Sequence, residues 1–199
     1  MRVAFAITLT VILSACASTP TTPLTNHVTP QNEALLGNWM CGYEFALEKN
    51  ARTLTTTMEW QEKILEDGRY IGVGVLSASV EGEPTNTATL FVDGRWFANH
   101  NEIRLHSHRA RAIPNPGATP SFTKAAKSAK FNKSLLKPQT DDYMITDGIM
   151  TRTSQRKGME ATCATWEEWE KICAESALDN CGTILEAEYF DEITKTVFQ

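Results

Sequence analysis

His106 and His108, separated by Ser107, are the side chains in this chain whose types and spacing most directly suggest chemistry. On an extended strand residues i and i+2 share a face. Two imidazoles could therefore meet a zinc ion there, with His100 or Glu102 completing the ligand set. The setting opposes this, because Arg104, Arg109 and Arg111 surround the pair and like charges repel a divalent cation. No metal is assigned, and His106 and His108 stand as candidates only. Glu167, Glu168 and Glu170 lie beside Trp166 and Trp169 and could be imagined as an acid–base pair. They read more simply as the acidic first turn of a helix, whose N-terminus favours negative charge. The chain contains no Gly-x-Ser-x-Gly elbow, no His-Glu-x-x-His and no phosphate-binding glycine loop. No catalytic residue or cofactor is assigned, and the chain reads as non-enzymatic.

The elements that would carry these residues are mainly strands. Residues 37 to 45 and 53 to 65 are strand-like, the second alternating Leu54, Thr56, Met58 and Trp60 against polar neighbours, and Glu66-Asp67-Gly68-Arg69 reads as a hairpin turn. Strands follow at 70 to 80 and 86 to 92. Asp93-Gly94 then reads as a turn, 95 to 98 as a short strand and 99 to 101 as another turn. Residues 103 to 112 alternate again, and 141 to 154 gives short strands split by Asp147-Gly148. Consecutive strands with short connections favour an antiparallel meander. Trp60, Tyr70, Phe91, Trp96 and Phe97 could line a cavity within it or fill a core.

One helix is expected in the insertion after the proline-rich loop at 113 to 120, capped by Ser121. It presents a basic face of Lys124, Lys127, Lys130 and Lys133, with Phe122, Ala125, Ala129 and Leu136 on the other side. Thr165-Trp166-Glu167-Glu168 fits a capping box opening a helix from 166 to about 178. Leu185, Tyr189, Ile193 and Val197 recur every four residues and suggest a second tail helix. Net charge is −5, which argues against a general nucleic-acid binder. The charge is unevenly spread: residues 95 to 137 hold nine Lys or Arg and one acid, and 141 to 199 hold thirteen acids and five bases. Either these blocks face each other in the fold, or the basic block faces an anionic envelope component.

Leu13-Ser14-Ala15-Cys16 follows Arg2 and an apolar run from 3 to 13. This order fits a secretory signal too short to span a bilayer. The tetrad resembles the lipobox of bacterial lipoproteins. That resemblance implies cleavage before Cys16, a diacylglycerol on its thiol and an N-acyl group such as palmitate, together a stable membrane anchor. Ala17, not aspartate, follows the cysteine. By the sorting rule of such lipoproteins this implies the outer membrane of the cell envelope, facing the periplasm. Residues 1–15 are then signal peptide, and 16–32 a Thr- and Pro-rich tether on the order of 20 to 40 Å long. Residues 33–199 form a single domain, with a helical extension from about 160. With Cys16 lipidated, Cys41, Cys163, Cys173 and Cys181 remain, an even set in an oxidising compartment. The pairing Cys41 to Cys163 and Cys173 to Cys181 is preferred among three, since it ties the opening strand to the tail and closes a small loop.

Gly37-Asn38-Trp39 at the start of the meander, a lone Arg152 in its candidate last strand and a helix after it resemble the lipocalin-like, or calycin, β-barrels. The resemblance covers residues 36 to about 154. It implies that Trp39 plugs one barrel end and that Arg152 packs over it, a contact that suits a guanidinium and an indole face. The fold expected is therefore mainly β, an antiparallel meander closing into a lipocalin-like barrel with one inserted helix and a disulfide-stapled helical tail. The function expected is binding of a small apolar or amphipathic ligand in that barrel by a lipid-anchored envelope protein. The alternative is a structural or accessory lipoprotein that docks to another envelope protein or to an anionic envelope component.

Overall fold

Strand alternation and turn chemistry produce a closed barrel in this protein, analysed as a computed structural model. The structure describes residues 32–49, 52–99, 101–155, 159–176, 192 and 196–198. The expected signal, lipobox with Cys16 and tether up to residue 31, as well as Cys181 and the expected tail-helix positions Leu185, Tyr189 and Ile193, fall outside them. A short 3-10 helix, Glu33–Leu35, precedes β1 (Gly37–Lys49), β2 (Arg52–Ile64), β3 (Arg69–Val80), β4 (Asn86–Asn99) and β5 (Glu102–Pro114). The insertion gives α1 (Pro120–Ala126) and α2 (Ala129–Leu135), followed by β6 (Gln139–Thr146), β7 (Ile149–Ser154), β8 (Glu160–Thr165) and α3 (Trp166–Ser176). The eight strands pair in sequence order, all antiparallel, and β8 closes onto β1. Among the described residues no helix is long and apolar enough to cross a membrane.

Register decides which side chains fill the barrel, because facing alternates along each strand. The lateral row Trp39↔Glu62↔Gly72↔Val92 lies inside, and every second residue from it follows. At the end sealed by the 3-10 helix, Leu35, Trp39, Ile64, Trp96, Ile103 and Met150 are 0–2 % exposed. Full burial of an aliphatic side chain of this size contributes about 1.5–3 kcal/mol. Trp39 is held in place there, since its Nε1 donates to the Leu35 carbonyl at 2.8 Å. Trp96 Nε1 likewise donates to the Leu65 carbonyl at 2.7 Å. The Trp60 ring lies against β3 at Gly72 and Gly74, where a Cβ would overlap the indole. Glycine at both positions is what lets so large a side chain lie flat inside.

Five local readings change. Asp93-Gly94 is no turn: β4 runs through it, and the register with β5 shifts there as a β-bulge. Gly94 sits so close to the His106 carbonyl that any Cβ would collide with backbone. The expected single helix is two, because Ser128 caps a new start, its Oγ accepting from Phe131 N at 3.1 Å. Thr119, not Ser121, caps the first, with Pro120 in its opening turn. Phe122, Ala126, Phe131 and Leu135 pack toward the barrel, whereas Ala125 and Ala129 are exposed. The eighth strand, Glu160–Thr165, was not anticipated as a strand at all. Half of the capping box at Thr165 forms: Glu168 N donates to Thr165 Oγ1 at 3.4 Å, but Thr165 N donates to the Gly148 carbonyl at 2.9 Å and not to Glu168.

That eighth strand carries Cys163, directly opposite Cys41 of β1 and bonded to it. The expected pairing of these two is present, and the segment taken for tail is the strand that closes the barrel. Cys173 is also disulfide-bonded. The Cys41–Cys163 bond spans 122 residues, so it removes much conformational freedom from the unfolded chain, a contribution of about 2–5 kcal/mol. Cys41→Ala/Cys163→Ala should therefore lose about 2–5 kcal/mol in urea unfolding. An unchanged midpoint would show that β1–β8 pairing needs no covalent help.

Candidate functional site

Two places hold side chains that could do more than fill space. The first is inside the barrel, where β2, β6 and β7 bring Glu62, Asp141 and Arg152 together, each at most 1 % exposed. Arg152 donates Nη1 to Glu62 Oε1 at 2.7 Å, and Nε and Nη2 to Asp141 Oδ2 at 3.0 and 2.7 Å. Gln139 Nε2 donates to the same Asp141 oxygen at 2.7 Å, and Trp60 Nε1 to Glu62 Oε2 at 3.2 Å. Asp141 Oδ1 has no hydrogen-bond partner. Burial works against the Arg152 charge, but Glu62, helped by Asp141 and two tyrosines, outweighs it and holds the guanidinium protonated. Burial likewise pushes the Tyr70 hydroxyl well above its ordinary range, and the Glu62 charge adds to the effect. Tyr43 moves the same way for the same main reason, against the pull of Arg152.

This cluster behaves as a structural lock. A buried ion pair repays desolvation only with good geometry and further hydrogen bonds, and losing one partner leaves a costly uncompensated charge. Trp39 and Arg152 are both buried, and the partners seen for the guanidinium are the two carboxylates. Neither carboxylate was picked out beforehand. The only signal was a single acid at an inward position of an alternating strand, which is weak without the register.

The second place is the edge of β5. β6 pairs with β5 only through Glu102–Leu105, so residues 106–114 have a strand neighbour on one side alone. An uncovered strand edge invites pairing with another chain, and α1 with α2 covers this one. Asn132 does the sealing: its Oδ1 accepts from Ala112 N at 3.0 Å, and its Nδ2 donates to the Ala126 and Ser128 carbonyls. Beside that seal a cavity of about 490 Å³ remains, bounded by Asn132 and Lys127 of the insertion. Its wall includes Ala110, Ala112 and Pro114 from the inward side of β5, and Arg111 and Ile113 from the outward side. Phe198 completes it.

Phe198 also belongs, with Val197, to an outer apolar cluster on Ile71, Val73 and Phe91. Arg111 Nη1 donates to the Val197 carbonyl at 2.7 Å, and the Arg109 guanidinium stacks 4.7 Å from the Phe198 ring centre while pairing with Asp93. The aromatic set considered as a cavity lining therefore divides. Trp60, Tyr70 and Trp96 face inward, while Phe91 and Phe97 lie on outward positions of β4.

Other expected residues are placed as follows. His106 and His108 are exposed on the outer face of β5, with ring centres 5.2 Å apart. Glu102, their suggested co-ligand, is bound by Arg104 and Gln155; His100 lies outside the described residues. The one group with metal-ligand spacing among the described residues is Cys41, Glu62 and Cys163, and its two sulfurs are spent in the disulfide. Lys124, Lys127, Lys130 and Lys133 are all exposed. Among the described residues no acid from 141 onward forms an ion pair with a base of 95 to 137; Arg104 and Arg109 use Glu102 and Asp93.

Arg152→Met should cost about 3–5 kcal/mol in urea unfolding, because Glu62 and Asp141 then face each other with no cation. Adding Glu62→Gln and Asp141→Asn should recover a large part of that loss, since the three act as one network. A single-variant loss below about 1 kcal/mol would refute the lock. No protein-family model matches this sequence, and no curated protein matches it significantly.

Proposed function

We propose that this protein is a lipid-anchored component of the bacterial envelope, tethered through Cys16, whose barrel binds a small apolar or amphipathic ligand. The observation that carries the reading is the contrast between the two halves of the barrel. The sealed end is filled by Trp39, Ile64, Trp96 and Met150. In the other half the inward side chains Tyr43, Phe45, Met58, Leu76, Ala78 and Val80 keep partial solvent contact. The cavity at the β5 edge adjoins that half through Ala110 and Ala112, both part of the same apolar cluster. Apolar walls with a few polar groups at the rim are what small-molecule sites offer. Native mass spectrometry of protein extracted from membranes tests both parts at once. The covalent mass should fit a chain beginning at acylated Cys16, and a noncovalent lipid-like adduct should accompany it. A chain with no adduct under gentle conditions would sink the ligand reading; an unacylated mass would sink the anchor.

A second reading has its own support. The insertion turns Lys124, Lys127, Lys130 and Lys133 outward while its apolar side packs on the barrel. That surface suits docking to an envelope protein or an anionic envelope component, the role of an accessory lipoprotein. Crosslinking in intact envelopes should then give a discrete adduct that disappears when all four lysines become glutamine. Persistence of the same adduct would exclude the lysine face as its cause.

A further inference from the structure

The cavity at the β5 edge has a chemical polarity that narrows what could occupy it. Its floor is apolar, formed by Ala110, Ala112, Ile113 and Pro114, and Ile113 is 37 % exposed although it is a large aliphatic side chain. Its rim is cationic. Lys127 lines the cavity, is exposed, and forms no ion pair among the described residues. Arg111 lines it too and, among the described residues, is bound to a neutral carbonyl and to no acid. The surrounding sequence from 95 to 137 carries a single acid, Glu102, and that one is taken by Arg104. Among the described residues, then, no acid pairs with Lys127 or Arg111, and a ligand here meets these two cations beside apolar surface.

The same geometry argues against a peptide adding itself as a ninth strand. The backbone donor at Ala112 is already satisfied by Asn132, and Pro114 has no amide hydrogen to offer. What remains is room for a molecule that needs no ladder of main-chain hydrogen bonds. A volume of about 490 Å³ lies within the range of small-molecule sites.

We propose that this cavity binds a single-chain amphiphile by its anionic head, with Lys127 and Arg111 facing the head and Ala112, Ile113 and Phe198 the alkyl chain. The proposal rests on the ligand-binding reading above and names the class of ligand.

The test uses the mature chain with Cys16→Ser, which cannot be acylated, and four probes of equal chain length, each below its micelle concentration: dodecanoate, dodecyl phosphate, dodecanol and dodecyltrimethylammonium. Binding is read by calorimetry and by methyl shifts at Ile113 and Ala112. Dodecanoate and dodecyl phosphate should bind at least tenfold more tightly than the cationic probe and shift both methyls, and comparison of the two separates carboxylate from phosphate preference. Lys127→Glu should weaken the anionic probes about tenfold and leave dodecanol unchanged, while Lys133→Glu, outside the cavity, should leave both unchanged. Equal affinity for all four probes would overturn the anionic head but keep the ligand-binding reading. An equal effect of both lysine variants would overturn the site in favour of a diffuse field. No binding of any probe would overturn the proposal together with the reading on which it rests.

Discussion

Closure of β1 onto β8 is the constraint on which the remaining structure depends. A meander of strands has two open edges, and each is a row of unsatisfied amides and carbonyls. Here the first and last strands meet along Trp39–Tyr43 and Ala161–Thr165 and are bolted by Cys41–Cys163. Only with that ring complete do Glu62, Asp141 and Arg152 share one dry interior. Their mutual pairing in turn fixes how β2, β6 and β7 stand relative to each other. Covalent bolt and ionic lock thus act at neighbouring positions on the same closure, the first on the unfolded chain and the second within the folded one.

Unequal strand length is the second organising fact. β1 to β5 are 12 to 14 residues long, whereas β6 to β8 have eight, six and six. A barrel built this way is complete at one end and interrupted at the other. The insertion exists in physical terms because β5 extends past its short neighbour and must be covered. Asn132 does this with one side chain, tying the strand edge to the backbone of both helices.

Much of this was legible in the sequence because period-two alternation and turn chemistry are local signals. The first three strands, the Asp147-Gly148 turn with positive φ at both residues, and the Thr165 side-chain cap all follow from neighbours a few positions apart. What escaped needed information from afar. Gly94 looks like a turn because glycine after aspartate commonly marks one, and only the approach of the His106 carbonyl shows it to be a bulge. Residues 160 to 165 lack strong alternation and become a strand because β1 and β7 are there to pair with. The break at Ser128 was hidden by lysines that keep their three-residue spacing across two helices. Glu62 and Asp141 were invisible as a pair, since nothing in a linear chain places positions 79 residues apart beside one guanidinium. The Ser121 cap failed more narrowly: Thr119 followed by Pro120 is the better start, and both lay in the stretch assigned to the loop.

The crowding of tryptophan at the sealed end has an optical consequence. Trp39, Trp60 and Trp96 are all at most 5 % exposed, and Trp60 stands opposite Cys41 in the register, next to a disulfide that quenches indole light. Emission from these three reports whether the barrel is intact and the bond oxidised. The cavity at the β5 edge is walled by Phe198 and aliphatic side chains, with no tryptophan in it. Occupancy there passes without the usual intrinsic signal, so a molecule of this design can carry a ligand and look empty to fluorescence.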